Sequence, residues 1–383
     1  MKKVCHVMVA SYFNDGMGYQ ENILSKKHVQ LGFDVSVITP CKKGENPSFY
    51  VNKDGVGIHT IPLNPSLIKR IPFFRGFGNI CVGLYDKLVE IAPEIIFVHS
   101  LAFPDATEVV KYKKTHPDVK VFADNHQDYY NKPVNTKKEK FQRYSYARPF
   151  AKKLAKVCEM TWGVTPWRVK YMCDVLGVPK EKAKLLVMGG DEDFIDWEHR
   201  DEIRKTVREK CGIPQTAFLL ISGGKMDLTK NVHILIEALH NLNDKTIYLL
   251  LFGTMDDETT KKCSQYLNDH VINIGWIKSN EVYQYFLSSD LGVFPGTHSV
   301  LWEQACASGL PCVFKDWNGG FGHVDVGGNS ILMKDITAQN IAKQIKLIKD
   351  TPSLYKQMKE VAGNKGRKEF TYIEIAKRAI QID

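Results

Sequence analysis

The alternation of short apolar runs with segments of helical period constrains this chain more than any other feature. Strand-like runs occupy Val4–Val9, Val35–Thr39, Gly57–Ile61, Ile95–Val98, Val121–Ala123 and Met160–Val164 in the first half. In the second half they occupy Phe218–Ile221, Thr246–Phe252, Val271–Ile274, Leu291–Phe294 and Pro311–Phe314. Between them lie stretches with apolar residues three and four apart, such as Tyr19–Leu31, Asp105–Lys114, Asn231–His240 and Ile341–Ile348. Alternation of this kind predicts an α/β chain with parallel sheets and helices on both faces. The pattern restarts after Met188–Arg200, a stretch rich in glycine and acids. With 383 residues, two domains of ordinary size fit better than one. The reading is a first domain over 1–188, a linker over 189–200, a second domain over 201–365, and a C-terminal helix over 366–383 that packs back on the first.

Composition narrows the class. An apolar fraction of 44% and a charged fraction of 25% suit a globular protein with a sizeable core. No apolar run approaches the ~18 residues needed to span a bilayer. The opening MKKVCHVMVA reads as a first strand and not as a signal peptide. Nine cysteines without a CxxC pair suit reduced thiols in a cytoplasm. No His/Cys cluster has zinc spacing, and no metal ligand is named. The formal charge of +9 is concentrated. Between Asn131 and Lys156 stand nine Lys/Arg against one acid, Glu139. A second basic stretch, 68–75, mixes Lys69, Arg70 and Arg75 with Phe73 and Phe74. Basic residues with aromatics suit an anionic membrane surface; a solvated helix face accounts equally well for the first stretch. No nucleic-acid module is recognisable.

In doubly wound sheets ligands bind at the carboxyl ends of strands, and several unusual residues lie there. Gly16 and Gly18 follow the first strand, as GxG without the third glycine of a dinucleotide fingerprint. They read either as a tight turn or as a loop whose amides face a phosphate or sugar. His99 follows Ile95–Val98. The next strand opens onto Asp124-Asn125-His126-Gln127-Asp128, where one acid could orient His126 or bind a hydroxyl. In the second half SGGKMDLTKN, at 222–231, places Gly224, Lys225 and Lys230 between a strand and a helix. Glycines let backbone approach an anion, a helix start points N–H groups at it, and lysines neutralise it. Gly253 ends the strand Thr246–Phe252. Pro295-Gly296 ends another, followed by Thr297, His298, Ser299 and Val300, with Ser299 a candidate helix cap. Glu303 falls about one turn inside that helix, either to accept two ribose hydroxyls or as an ordinary surface acid.

These residues resemble the retaining glycosyltransferases of family 4, which have the GT-B fold: two Rossmann-like domains facing across a cleft. The family's G-R-x-x-x-x-K stretch matches Gly224-Lys225 and Lys230, with Lys in place of Arg. Its E-A-x-A-x-G-x-P segment matches Glu303 to Pro311, with Gln304 inserted and the alanine positions counted from Ala305. Gly16 and Gly18 fall at the family's Gly-rich donor loop, and His99 at its catalytic-site His. The family's second Glu, eight residues before the ribose Glu, is Pro295 here, and the connecting loop is about four residues shorter. Thr297, His298 and Ser299 are the candidates to replace it.

The resemblance implies transfer of a hexose from a nucleoside diphosphate sugar, UDP-linked, to a saccharide or lipid-linked saccharide in cell-surface polysaccharide assembly. It implies retention through a front-face mechanism, with no metal and no cofactor beyond the donor. Lys225, Lys230 and His99 would act at the reacting centre. Gly16, Gly18, Gly224, Gly253, Thr297, His298, Ser299, Val300 and Glu303 would hold the donor. His126 and Asp128 would face the acceptor. The protein is expected in the cytoplasm, in peripheral contact with the inner face of the cell membrane. A sugar-nucleotide epimerase or hydrolase of the same fold, or a non-catalytic sugar-nucleotide-binding subunit, remains open.

Overall fold

The computed structural model describes the chain except residues 43, 65–79 and 383. The basic-aromatic stretch at 68–75 lies outside the described residues. The chain divides into two compact units, Met1–Val187 with Ile375–Asp383, and Met188–Glu374.

In unit 1 the strands are β1 (Lys3–Val7), β2 (Asp34–Pro40), β3 (Phe49–Val51), β4 (Gly57–Ile61), β5 (Leu63–Asn64), β6 (Ile80–Cys81), β7 (Ile95–His99), β8 (Lys120–Asn125), β9 (Met160–Gly163) and β10 (Ala183–Leu185). Eight of them form one sheet in the order β10-β9-β8-β7-β1-β2-β4-β3; β5 and β6 pair separately. Every pairing in the large sheet is parallel except β3 against β4. Side chains alternate across a strand. Cys5 and Val7 of β1 thus join the core shared with Leu84, Leu88, Val109 and Tyr112. His6, between them, meets His28 of the helix Gln20–Gln30.

In unit 2 the strands are β11 (Phe218–Met226), β12 (Ile247–Met255), β13 (Val271–Asn273), β14 (Leu291–Phe294), β15 (Cys312–Lys315) and β16 (Ser330–Met333). They form a parallel sheet in the order β13-β12-β11-β14-β15-β16. Helix residues at helical spacing, Leu235, Ile236 and Leu239, then Ile341, Ile345 and Ile348, complete its core.

Three sequence expectations change. First, β11 does not end at Ile221. It runs on to Met226, paired residue by residue with β12 from Phe218↔Ile247 to Met226↔Met255, whereas β14 reaches only Leu220 and Ile221. Gly224 and Lys225 therefore lie in a two-stranded extension and not in a turn. Second, 189–200, read as a linker, belongs to unit 2. The Gly190 amide donates to the Phe370 carbonyl, Gly190 accepts from the Tyr372 amide, and Ile195 is buried. Third, the segment 366–383 is divided. Arg367–Phe370 belongs to unit 2, while from Ile375 onward the chain belongs to unit 1, where Trp162 Nε1 donates to the Ala379 carbonyl. β3, β5, β6, β10 and β16 were not expected from the sequence; β3 and β10 are the edges of the large sheet, and β16 is an edge of the second. Among the described residues no helix is long and apolar enough to cross a membrane.

Candidate functional site

Unit 2 doubles its strand order back beside β11, with β12 on one side and β14 on the other. Such a reversal opens a crevice at the strand carboxyl ends, and the sequence-singled residues gather there. Gly224 and Gly253 are paired across β11 and β12 with φ of +104° and +102°. A Cβ on Gly253 would lie 2.1 Å from the Gly224 carbonyl oxygen. Only glycine allows the two backbones to approach this closely in that conformation. Lys225 is exposed beyond this point, and its ammonium has no ion-pair partner among the described residues. Asp256 is held low first by hydrogen bonds from Thr259 and then by the charge of Lys225.

After β11, Asp227 accepts from the Thr229 amide at 2.9 Å and caps a short turn, Leu228–Lys230. Asn231, in the left-handed region, leads into the helix Val232–Leu242 and donates from Nδ2 to the Pro295 carbonyl at 3.0 Å. The loop after β14 lies against this turn. Gly296 permits it, because a Cβ there would stand 2.2 Å from Lys230 Cα. The Lys230 ammonium donates to the Thr297 carbonyl at 2.7 Å and reaches the His298 carbonyl at 3.5 Å. Burial lowers the Lys230 pKa, partly offset by Asp227. Ser299 does not cap the next helix, Leu301–Ala307. Val300 holds the cap position without a side-chain bond, and Ser299 instead accepts the Trp302 amide on its carbonyl.

His298 connects Lys230 to the carboxylate. Its backbone faces Lys230, and its Nε2 lies 2.7 Å from Glu303 Oε1. His323 Nε2 lies 2.9 Å from the same oxygen. Glu303 is fully buried, so it is not an ordinary surface acid; its Oε2 and His323 Nδ1 have no partner. Burial pushes the Glu303 pKa up, but the two imidazoles outweigh it and hold the group down at about 2. One carboxylate oxygen is thus paired twice, and the other is buried without a partner. The same three groups lie within 4.8 Å of one another, close enough to share a metal ion. The sequence spacing of 298, 303 and 323 matches no zinc motif, so this convergence, and His323 altogether, had no sequence signal.

In unit 1, Gly16 and Gly18 lie in the exposed loop between β1 and the helix Gln20–Gln30. His99, expected at the reacting centre, has both ring nitrogens occupied. Its Nδ1 lies 2.9 Å from Asp124 Oδ2, and its Nε2 lies 2.9 Å from His6 Nδ1. The chain continues from His6 Nε2 to His28 Nδ1 at 2.9 Å, and from His28 Nε2 to the Ala376 carbonyl at 3.0 Å. A carbonyl only accepts, so His28 Nε2 carries a proton, and each ring in turn is oriented by the next. Four links require four protons, and three neutral imidazoles supply three. The relay therefore holds one extra proton against the Asp124 carboxylate. Burial opposes ionisation of Asp124, yet His99 and His126 hold its pKa below the usual carboxylate range. Burial also lowers His6 well below the ordinary imidazole value, and brings His28 to about 4.

His126 is half exposed and 3.5 Å from Asp124 Oδ2, so Asp124, and not Asp128, is the acid beside it. Asp128 is occupied: Oδ1 accepts from the amides of Tyr130 and Asn131, and Oδ2 pairs with Arg168 Nε at 3.1 Å. The structure thus brings together Lys230, Thr297, His298 and Glu303, sets Gly224, Lys225 and Gly253 at the adjoining strand ends, and ties His99 and Asp128 into the framework. His6 and His28 escaped the sequence reading because a single His in a strand or helix carries no pattern.

Residues 203–365 match the model of the family described as glycosyl transferases group 1. No curated protein matches the chain. Among solved structures it is similar to a glycosyltransferase from Rickettsia africae ESF-5, with 15% identity, 99% of this chain and 97% of that chain covered, and a TM-score of 0.69. It is similar to Anabaena Alr3699/HepE in complex with UDP and glucose, with 15% identity, 100% and 99% covered, and a TM-score of 0.65. It is also similar to WaaG, a glycosyltransferase involved in lipopolysaccharide biosynthesis, with 17% identity, 99% of each chain covered, and a TM-score of 0.59.

Proposed function

We propose that the protein is a hexosyltransferase using a UDP-sugar donor: residues 203–365 match the model of the glycosyl transferases group 1 family, and the chain has the GT-B fold. The observation that carries the reading is the contact chain in unit 2. Lys230 bonds the Thr297 carbonyl, and His298 bonds Glu303, so that one short loop ties a cation to a buried carboxylate. Diphosphate suits the cations, and a ribose hydroxyl would satisfy the buried, unpaired Glu303 Oε2. The UDP and glucose in the Anabaena relative favour this donor class.

In the reaction, the bond from the anomeric carbon to the diphosphate oxygen breaks and its electron pair leaves with UDP. The acceptor hydroxyl oxygen bonds the anomeric carbon on the same face, and its proton passes to the departing phosphate oxygen. Lys225 and Lys230 oppose the charge that builds on the leaving group, the role that a metal ion fills in other sites. His126, half exposed just after β8 of unit 1, would face the acceptor. The acceptor is a saccharide or lipid-linked saccharide of cell-surface polysaccharide assembly, and the protein works in the cytoplasm. Exposed Lys137, Lys138, Lys140, Lys152, Lys153 and Lys156 favour peripheral contact with anionic lipid.

Calorimetric titration with UDP, together with product analysis of UDP-glucose incubations, tests this. Wild type should bind UDP, and Glu303→Ala should weaken that binding; equal affinity removes the ribose role. UDP-glucose consumed without any acceptor marks an epimerase or hydrolase. Binding with no turnover across an acceptor panel marks a non-catalytic subunit.

A further inference from the structure

Unit 1 has a crevice of its own where its strand order doubles back, between β1 and β7. A cavity of about 260 Å³ opens there, far beyond the ~10–15 Å³ that one water requires. Its walls come from the segments after β1 and β7, from Gln127 after β8, and from Lys132, Gln142 and Arg143. None of the lining residues is acidic. Arg143 Nε and Gln127 Oε1 are both buried without a partner. One is a donor and one an acceptor, and each is costly to leave unmet. Arg143 has no ion pair among the described residues. Glu139, one helical turn back, senses its charge, but that carboxylate is held by the amides of Asn135 and Thr136. Lys132 stands close enough that burial, and then the charge of Arg143, lower its pKa. Two cations therefore share a concave wall with no anion between them. Tyr12, Phe103 and Tyr146 add ring surface to the same cavity.

We propose that this cavity receives the acceptor through an anionic oxygen group, a phosphate or carboxylate borne by a sugar. Arg143 and Lys132 are its specificity-determining residues, and Gln127 takes a sugar hydroxyl. The guanidinium fork matches either oxyanion with two parallel bonds. The word acceptor rests on the glycosyl-transfer reading above; the anion site does not.

Calorimetry on the full chain tests the assignment, with glucose 6-phosphate, glucuronate and glucose as soluble probes, and phosphatidylcholine vesicles with and without a polyprenyl phosphate as the membrane probe. The anionic sugars should bind at least about tenfold tighter than glucose, the scale of a charged hydrogen bond. Arg143→Gln should abolish that preference, Lys132→Gln should reduce it, and Arg143→Lys should keep part of it. All three variants should bind UDP like wild type and melt at the wild-type temperature. Capture of the doped vesicles alone, lost in Arg143→Gln, assigns a lipid-linked source. Binding of the soluble sugars assigns a free one. Wild type that treats glucose and its anionic analogues alike, or Arg143→Gln that retains the preference, overturns the proposal, as does absence of binding to every anionic probe. Failure of UDP alone to bind removes the donor reading and leaves the anion titration to be judged by itself.

Discussion

Acidification should destabilise unit 1 through His28, and the amount follows from its surroundings. His28 is fully buried and neutral, accepting from His6 and donating to Ala376. A second proton in the relay would set two N–H donors face to face. Its folded pKa is lowered to about 4 from 6.5. The sign is then set: the unfolded chain takes up a proton below about 6.5 while the folded chain resists until about 4. The stability is full above 6.5 and is lost as pH falls through that window. With 1.36 kcal/mol per pH unit, the loss is about 2 kcal/mol between pH 7 and pH 5 and approaches about 3 kcal/mol at pH 4. The perturbation is His28→Gln, whose amide can still donate to Ala376 and accept from His6 but does not titrate. Hydrogen exchange of β1 and β7 amides, measured at both pH values, reads the opening free energy of this unit. Wild type should lose about 2 kcal/mol more than the variant on going to pH 5. His6 titrates in the same direction in both proteins, so the difference belongs to His28. Parallel pH dependence in the two proteins would refute the neutral, buried assignment and with it the proton count of the relay.

Three further outcomes are expected. Lys230→Ala should cut donor turnover by about two orders of magnitude, the ~3 kcal/mol scale of a contact to developing charge; near-wild-type turnover would exclude it from the leaving-group site. Gly253→Ala should cost about 3 kcal/mol, combining a clash with the Gly224 carbonyl and a positive φ; an unshifted urea midpoint would show that the β11–β12 extension yields easily. In flotation, vesicles containing anionic phosphatidylglycerol should carry the protein at low salt and release it at high salt. Salt-indifferent or absent flotation counts against the membrane contact.

The sequence determined by itself whatever depends on local period and local chemistry. The strand–helix alternation is a backbone rhythm, so the two parallel α/β units were legible, as were the central strands that bury both faces. Lys225 and Lys230 stood out because strand, glycine, cation and helix succeed one another within a few residues, whereas Glu303 stood out only through the likeness of Glu303 to Pro311 to a family segment. Tertiary structure decided whatever joins distant positions. The Gly224–Gly253 contact extends β11 past its apolar run because a neighbouring strand supplies the ladder. His323 reaches Glu303 from 20 residues away, and the relay draws Asp124, His99, His6, His28 and Ala376 from five separate segments. His99 and Asp128 looked available because a sequence shows which groups stand at a strand end, not which partners already saturate them. Hydrogen-bond capacity is a property of space, and only the packed chain determines which carboxylates and imidazoles are left open to a ligand.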